Sequence, residues 1–180
     1  MTVFLFPDNT VLCNFACADR LDLLEAVLNG RGRWTSAVAY EASQSANQLG
    51  QLRGLHAGGW LGVPIEIVEE QHVSQIQRIR RLVFGGADDQ PLKHLGEAET
   101  CFVLKEWDDY VGSWWISDDR DALRYARFQG ITTRETIDLI AEAIANGDID
   151  GQSAFNLMKE MEDQGRHLRT PNSPADLMRR

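Results

Sequence analysis

Six carboxylates stand near the end of a predicted strand or the start of a predicted helix: Asp8, Glu41, Glu97, Glu99, Asp118 and Asp119. In an open parallel sheet, strand carboxyl ends and helix amino ends share one edge, and ligands bind at that edge. We therefore expect these side chains to converge on one pocket.

The chemistry that such a pocket favours is that of a divalent cation. Crowded carboxylates repel each other and take up protons unless a positive charge relieves the repulsion. Oxygen ligands suit Mg²⁺ or Mn²⁺. A cation held in this way activates water and stabilises the charge that develops in phosphoryl transfer. The pattern therefore predicts a magnesium or manganese site.

The elements that must position these carboxylates are short apolar runs that alternate with helical patterns. The runs "TVFLFP" and "SWWIS" predict buried strands, and "RWTS" and "PIEIVEE" predict two more. Helices are predicted around them: "NTVLCNFACA", "RLDLLEAVLNG", "AVAYEASQSANQL", "VSQIQRIRRLVFGG", "GEAETCFVLKEW", "DDRDALRYARFQG", "ETIDLIAEAIANG" and "QSAFNLMKEMEDQG". This order predicts an α/β fold of three layers, with a central, mostly parallel sheet and extra C-terminal helices.

Local signals predict how some of these elements begin or connect. Ser36 is a candidate N-cap for the helix that carries Glu41. Thr132 and Glu135 have the spacing of a capping box. The stretch "RGLHAGGWLG" predicts a glycine-rich loop.

The length and the charge of the chain limit the classes of protein to consider. A chain of 180 residues with 43% hydrophobic residues suits one folded domain. We assign residues 1–165 to that domain and expect 166–180 to be a loose tail or to lie across the surface. The net charge of -9 argues against a protein that coats nucleic acid by charge alone.

The compartment follows from what the sequence lacks. No apolar run approaches the roughly 20 residues that span a bilayer. Three cysteines do not make a disulfide framework, and Asp8 interrupts the first apolar run, which also lacks a basic flank. We expect a cytoplasmic protein with no membrane partner.

Four stretches, in chain order, resemble the PIN domain family: "FLFPDNTVLCNFA", "SAVAYEAS", "LGEAETCFVL" and "WISDDRDALRYAR". The likeness is greatest to the bacterial VapC-like branch and extends from Val3 to about Ile144. It implies a PIN-like fold and a metal-dependent ribonuclease with Mg²⁺ or Mn²⁺ as its cofactor.

The resemblance also implies roles for individual residues. Its four acids map onto Asp8, Glu41, Glu99 and Asp119. Asp8, Glu99 and Asp119 would hold the metal, and Glu41 would bind it directly or through water. The family's other positions add four residues that would share or orient these ligands: Thr10, Glu97, Ser117 and Asp118. Thr100 departs from the family pattern, which has a small apolar residue there.

Each carboxylate alone has an ordinary structural alternative. Asp8 is a candidate N-cap for the helix after it, and one of Asp118 and Asp119 is a candidate cap for the helix "RDALRYAR". Glu41 alone would be a solvated helix residue. Glu97 and Glu99 would favour the positive end of their helix. Their joint placement on one predicted edge favours the metal site.

Basic residues offer a possible path for RNA. Four of them could guide an RNA backbone to the site or simply form a solvated face: Arg78, Arg80, Arg81 and Lys93.

The leading hypothesis is the ribonuclease toxin of a toxin–antitoxin pair, a homodimer silenced by a small protein antitoxin. Two alternatives stay open. One is a PIN-like binding or regulatory module without catalysis, and the other is a metal-dependent phosphohydrolase that acts on substrates other than RNA.

Overall fold

The computed structural model describes residues 2–179, in which three short parallel strands form one sheet. The strands are β1 (Leu5–Pro7), β2 (Trp114–Ile116) and β3 (Thr132–Arg134), in the order β1-β2-β3. Leu5 pairs with Trp114, and Trp114 pairs with Thr132. The predicted α/β fold with a parallel sheet is confirmed.

Helices occupy most of the remaining chain. They are α1 (Asn9–Cys17), α2 (Leu21–Leu28), α3 (Ser36–Ser45), α4 (Leu55–Gly58), α5 (Glu70–Leu82), α6 (Leu95–Glu106), α7 (Arg120–Phe128), α8 (Thr136–Asn146), α9 (Gly151–Asp163) and α10 (Pro174–Met178). Short 3₁₀ helices cover Gly50–Gly54 and Asp108–Tyr110. Among residues 2–179, no helix is both long and apolar enough to cross a membrane.

The sheet separates two hydrophobic cores because successive strand residues point to opposite faces. Leu5 and Ile116 pack with α1, α2, α3, α8 and α9 on one face. Phe6 and Trp115 pack with α5, α6 and α7 on the other. The three layers hold the ends of β1 and β2 rigidly, and both strands lead directly into predicted site residues.

Two predicted strands are wrong. "RWTS" and "PIEIVEE" form only isolated bridges, in which Gly32 pairs with Leu5 and Thr35 pairs with Ile65. Ile65 and Ile67 of the second segment do pack against the core that contains Phe6 and Trp115, whereas Val68 is 81% exposed. The alternation therefore indicated the side chains that face the core, but the backbone pairs only through one bridge.

Two predicted helix caps also differ. Thr35, rather than Ser36, caps α3, because its hydroxyl accepts the Val38 amide. Thr132 lies in β3, where pairing with Trp114 excludes it from a cap. The capping box at α8 joins Glu135 and Asp138 instead.

Two segments that looked irregular contain helices. The glycine-rich stretch holds one 3₁₀ turn and α4. The C-terminal segment carries α10, whose Leu177 is 1% exposed and joins the first core. Leu177 therefore attaches this part of the segment to the domain.

Candidate functional site

Asp8 lies where β1 ends and α1 begins, and its side chain is buried. Its Oδ1 accepts the Asn9 amide at 2.7 Å, so Asp8 is the N-cap of α1. Its Oδ2 accepts the hydroxyls of Thr10 and Ser117, each at 3.1 Å. The predicted N-cap is therefore present, and the carboxylate that forms it is also a candidate metal ligand.

The charge of Asp8 is costly in this position. Burial raises its pKa to about 7, and the negative charge of Glu97 adds to the rise. The hydrogen bonds from Asn9, Ser117 and Thr10 oppose the shift without cancelling it. A group with this pKa exchanges its proton near neutral pH unless a cation takes the proton's place.

Glu41 faces Asp8 from the middle of α3. Burial raises the pKa of Glu41 to about 8, and the charges of Asp8 and Glu97 raise it further, while a hydrogen bond from the Gly96 amide lowers it. A Cβ on Gly96 would lie 2.9 Å from Oε1 of Glu41. The absence of a side chain at Gly96 therefore lets the carboxylate of Glu41 reach the start of α6.

Glu97 is the carboxylate of α6 whose charge acts on both Asp8 and Glu41. Its Oε1 lies 3.1 Å from Nδ1 of His94, which holds the side chain at the helix start. Three carboxylates, Asp8, Glu41 and Glu97, thus form the acidic cluster, the name used for them below.

The carboxylate of Glu99 lies at the start of α3 and accepts hydrogen bonds there. Its Oε2 accepts the Ala37 amide at 3.0 Å and lies 3.5 Å from the Ser36 hydroxyl, at the start of α3. Burial raises the pKa of Glu99, and these hydrogen bonds oppose the rise. Residues two apart on a helix point in different directions, so Glu97 and Glu99 do not present their carboxylates alike. Metal binding by Glu99 stays a prediction.

Asp119 and Asp118 form hydrogen bonds with different elements. Oδ1 of Asp119 accepts the amides of Asp121 and Ala122 at 2.8 and 3.0 Å, so the exposed Asp119 caps α7. Asp118 turns the other way, where it accepts the Asn14 side-chain amide at 2.8 Å and both the amide and the hydroxyl of Thr136. Burial raises the pKa of Asp118, and the hydrogen bonds from Thr136 lower it.

Ser117 connects the two strand ends. Its hydroxyl donates to Asp8 and accepts the Asp119 amide at 3.2 Å. The open edge of the sheet therefore carries Asp8 and Asp119 on either side of one hydroxyl. Thr10 and Ser117 orient Asp8, the role that the sequence suggested for them.

The four basic residues predicted to guide RNA, three on α5 and Lys93 in the loop before α6, are not all exposed. Arg80 is buried, and its Nη1 donates to the carbonyls of Ala87, Gln90 and Lys93. Its guanidinium thus holds the loop that leads into α6, so it does not reach a surface ligand. Arg81 pairs with Asp88 at 3.0 Å, while Arg78 and Lys93 are exposed.

A different basic surface was missed. Arg120, Arg124 and Arg127 recur at helical spacing on one face of α7, which Asp119 caps. Arg120 and Arg169 line two adjoining clefts at this face. The spacing of the three arginines was a signal in the sequence, and it defines the arginine face, as it is called below.

The donor set fits a hard cation in its chemistry. All three members of the acidic cluster offer oxygen, and the larger influences on the pKa of Asp8 and Glu41 include no lysine or arginine. Within residues 2–179, however, no three His, Cys, Asp or Glu side chains already stand at ligand spacing around one point. The acidic cluster therefore suits a cation by its oxygen atoms and not by the present placement of its side chains.

Comparison with known proteins gives one match. A family model described as a PIN domain matches residues 5–173. No curated protein matches the chain, and no solved structure does.

Proposed function

The chain belongs to the PIN domain family, and from that premise we propose that it is a metal-dependent endoribonuclease. PIN domains are in general nucleases. The proposal adds the metal, the residues that hold it and the RNA substrate.

The observation that carries the proposal is the acidic cluster. Burial and the charge of Glu97 raise the pKa of Asp8 to about 7. Burial and the charges of Asp8 and Glu97 raise the pKa of Glu41 to about 8. Structural carboxylates are normally paired with a cation or solvated. Carboxylates that repel each other at the carboxyl ends of parallel strands are typical of a site that binds Mg²⁺ or Mn²⁺.

We assign the metal to Asp8, Glu41 and Glu97, with Asp119 completing the set from the neighbouring strand. Bound there, the cation would supply an activated water and would stabilise the charge on a phosphodiester. Thr10 and Ser117 hold Asp8 in one orientation, and His94 does the same for Glu97. Gly96 leaves the space into which Glu41 reaches.

The arginine face supports RNA as the substrate. Arg120, Arg124 and Arg127 span about 10 Å along α7, given a rise of 1.5 Å per residue. Phosphate contacts of this kind position a nucleic acid without reading its sequence. The face begins at Asp119, so a backbone that follows it reaches the acidic cluster.

The biological role in the proposal comes from the resemblance of the motifs to the VapC-like branch. We place the protein in the cytoplasm as the toxin of a toxin–antitoxin pair. It would act as a homodimer that a small protein antitoxin silences.

The test is cleavage of a panel of structured RNAs with Mn²⁺ by the wild type and by Asp8→Asn. Asn caps a helix about as well as Asp, so the variant keeps α1 and loses the ligand charge. Cleavage should disappear. Asp150→Asn is the matched control, because Asp150 caps α9 through the amides of Gln152 and Ser153 and lies outside the acidic cluster. Full activity in Asp8→Asn would contradict the assignment.

A binding module without catalysis is the second candidate, favoured by the absence of a closed ligand set within residues 2–179. Titration with Mn²⁺ separates the two. Binding of the ion to the wild type, lost in Asp8→Asn, supports the nuclease. RNA binding without any affinity for Mn²⁺ supports the module.

A further inference from the structure

A cleft of about 560 Å³ opens beside Asp119, and the proposed metal site explains only Asp119 and His94 among its lining residues. Its walls include Phe84, His94, Asp119, Arg124, Tyr125 and Phe128. We call it the aromatic cleft. Its volume falls within the range of pockets that hold small organic ligands.

The first unusual feature of this cleft is one exposed aromatic ring beside two rings that are partly buried against the core. Phe128, at the end of α7, is 84% exposed. Phe84 and Tyr125 stand edge to face, with their ring centroids 5.6 Å apart. An exposed phenylalanine beside a paired phenylalanine and tyrosine adds little to the core, whereas it offers a flat apolar surface to a ligand.

The cleft adjoins the acidic cluster through two of its lining residues, His94 and Asp119. The rings of Phe84 and His94 lie 6.4 Å apart, and Nδ1 of His94 contacts Glu97 at 3.1 Å. Asp119 lines the same cleft, and its amide is bound to the hydroxyl that also contacts Asp8. A ligand in the cleft therefore lies next to the residues assigned to phosphodiester hydrolysis.

Different charged residues of the cleft suit the base and the phosphate of a nucleotide. Asp121 lines the cleft and would repel a phosphate, but its carboxylate can accept a hydrogen bond from the amino group of a base. Arg124 pairs with Asp121 at 2.9 Å, and both side chains are 82% exposed. A pair so exposed contributes little to stability, so Arg124 can exchange its partner for a phosphate at the rim.

We propose that the aromatic cleft binds one unpaired nucleobase of the RNA, which lies against Phe128 while Arg124 contacts the adjoining phosphate. This inference rests on the proposed function and adds to it a subsite for one base of the RNA. Bases in a duplex are stacked on each other, and proteins that bind single strands stack the free bases on aromatic side chains. A base held here sets which phosphate of the strand reaches the acidic cluster.

The experiment measures RNA affinity in the Asp8→Asn background, where binding proceeds without cleavage. The probes are a labelled 12-nucleotide single-stranded pool, the same pool with one abasic position, and a duplex of equal length. Phe128→Ala should weaken binding of the single strand about 5- to 100-fold, the range that loss of one stacked base produces. Its affinity for the duplex should stay the same, and Phe128→Trp should retain tight binding.

Val68→Ala is the control, because Val68 is equally exposed and lies outside the cleft. Equal single-strand affinity with and without the Phe128 ring would overturn the base site while leaving the proposed nuclease intact. A Phe128→Ala protein that binds RNA normally but loses self-association would assign the cleft to a second copy of the chain. If the Asp8→Asn protein binds no RNA at all, the proposed function fails together with this inference.

Discussion

The carboxylate of Glu41 lies against the backbone of Gly96, which donates a hydrogen bond to it and has no side chain to keep it away. Contact between α3 and α6 therefore places one acid of the cluster beside another, because Gly96 directly precedes Glu97. The closeness of these two helices is a property of the site as well as of the fold.

Gly96→Ala should separate activity from stability. The added Cβ would meet the end of the flexible Glu41 side chain, at 2.9 Å from Oε1, so Glu41 moves and the fold stays intact. Alanine also favours a helix over glycine by up to about 1 kcal/mol. We expect RNA cleavage to fall at least about tenfold, with an unchanged or higher melting temperature. Gly54→Ala is the control, since a Cβ there meets nothing within 4 Å. Equal loss of activity in both variants would contradict the argument.

Glu97→Gln and Glu99→Gln should behave differently. The first removes the charge that acts on Asp8 and Glu41, so Mn²⁺ affinity and cleavage should be lost. The second keeps an oxygen that accepts the Ala37 amide, so both should persist. Calorimetric titration with Mn²⁺ and an RNA cleavage assay give the readouts.

Glu99→Ala completes this comparison. It leaves the buried Ala37 amide without its partner, which costs about 1–3 kcal/mol of unfolding free energy. If Glu99→Gln, rather than Glu97→Gln, loses Mn²⁺, the sequence-based assignment of Glu99 as ligand is restored.

Without metal, stability should fall as the pH rises. Asp8 and Glu41 have folded-state pKa values of about 7 and 8, against about 4 in an unfolded chain. The folded state then binds more protons between these limits, so its stability is complete below about pH 4 and declines up to about pH 8. One pKa unit corresponds to about 1.4 kcal/mol, and we expect a total loss of at least about 2 kcal/mol.

Urea unfolding with a chelator at pH 5 and at pH 8 measures this loss. Asp8→Asn should reduce it, because the neutral amide does not ionise, and Mn²⁺ at pH 8 should restore stability to the wild type alone. Equal unfolding free energies at both pH values would show that the carboxylates are relieved by something other than protons.

The arginine face should determine the salt dependence of RNA binding. Replacing Arg120 and Arg127 by Gln removes two phosphate contacts, and each lost contact lowers the slope of log affinity against log salt by about 0.7 for a single strand. Affinity should fall alike for all sequences. Arg53→Gln, an exposed arginine on a 3₁₀ turn, should leave the slope unchanged. A slope that responds to Arg53 and not to the arginine face would place the RNA elsewhere.

The position of Asp8 was predictable because an apolar strand, a charge and a helix follow one another without a gap. The same pattern located Asp118 and Asp119 after "SWWIS". Those assignments need only local sequence and the rule that ligands gather at one sheet edge.

The choice between Glu97 and Glu99 could not be made in the same way. It depends on which side of α6 faces α3, and tertiary packing decides that. The strand β3 was missed for a related reason, since "TTR" is polar and largely exposed and gains its pairing only from the edge of β2. In the sequence, Arg80 resembled a surface residue because no neighbouring residue indicates that its guanidinium binds three loop carbonyls.

The register of β1 against β2 has a further consequence. Pro7 pairs with Ile116, so the next residues along, Asp8 and Ser117, stand side by side. A shift of one residue would exchange every inward and outward side chain, and it would also bring Asp118 beside Asp8 in place of the hydroxyl. Two buried carboxylates would then meet without a donor between them, and each would disfavour the charge of the other. A one-residue slip of this sheet would therefore carry an electrostatic cost in addition to the exposure of its apolar side chains.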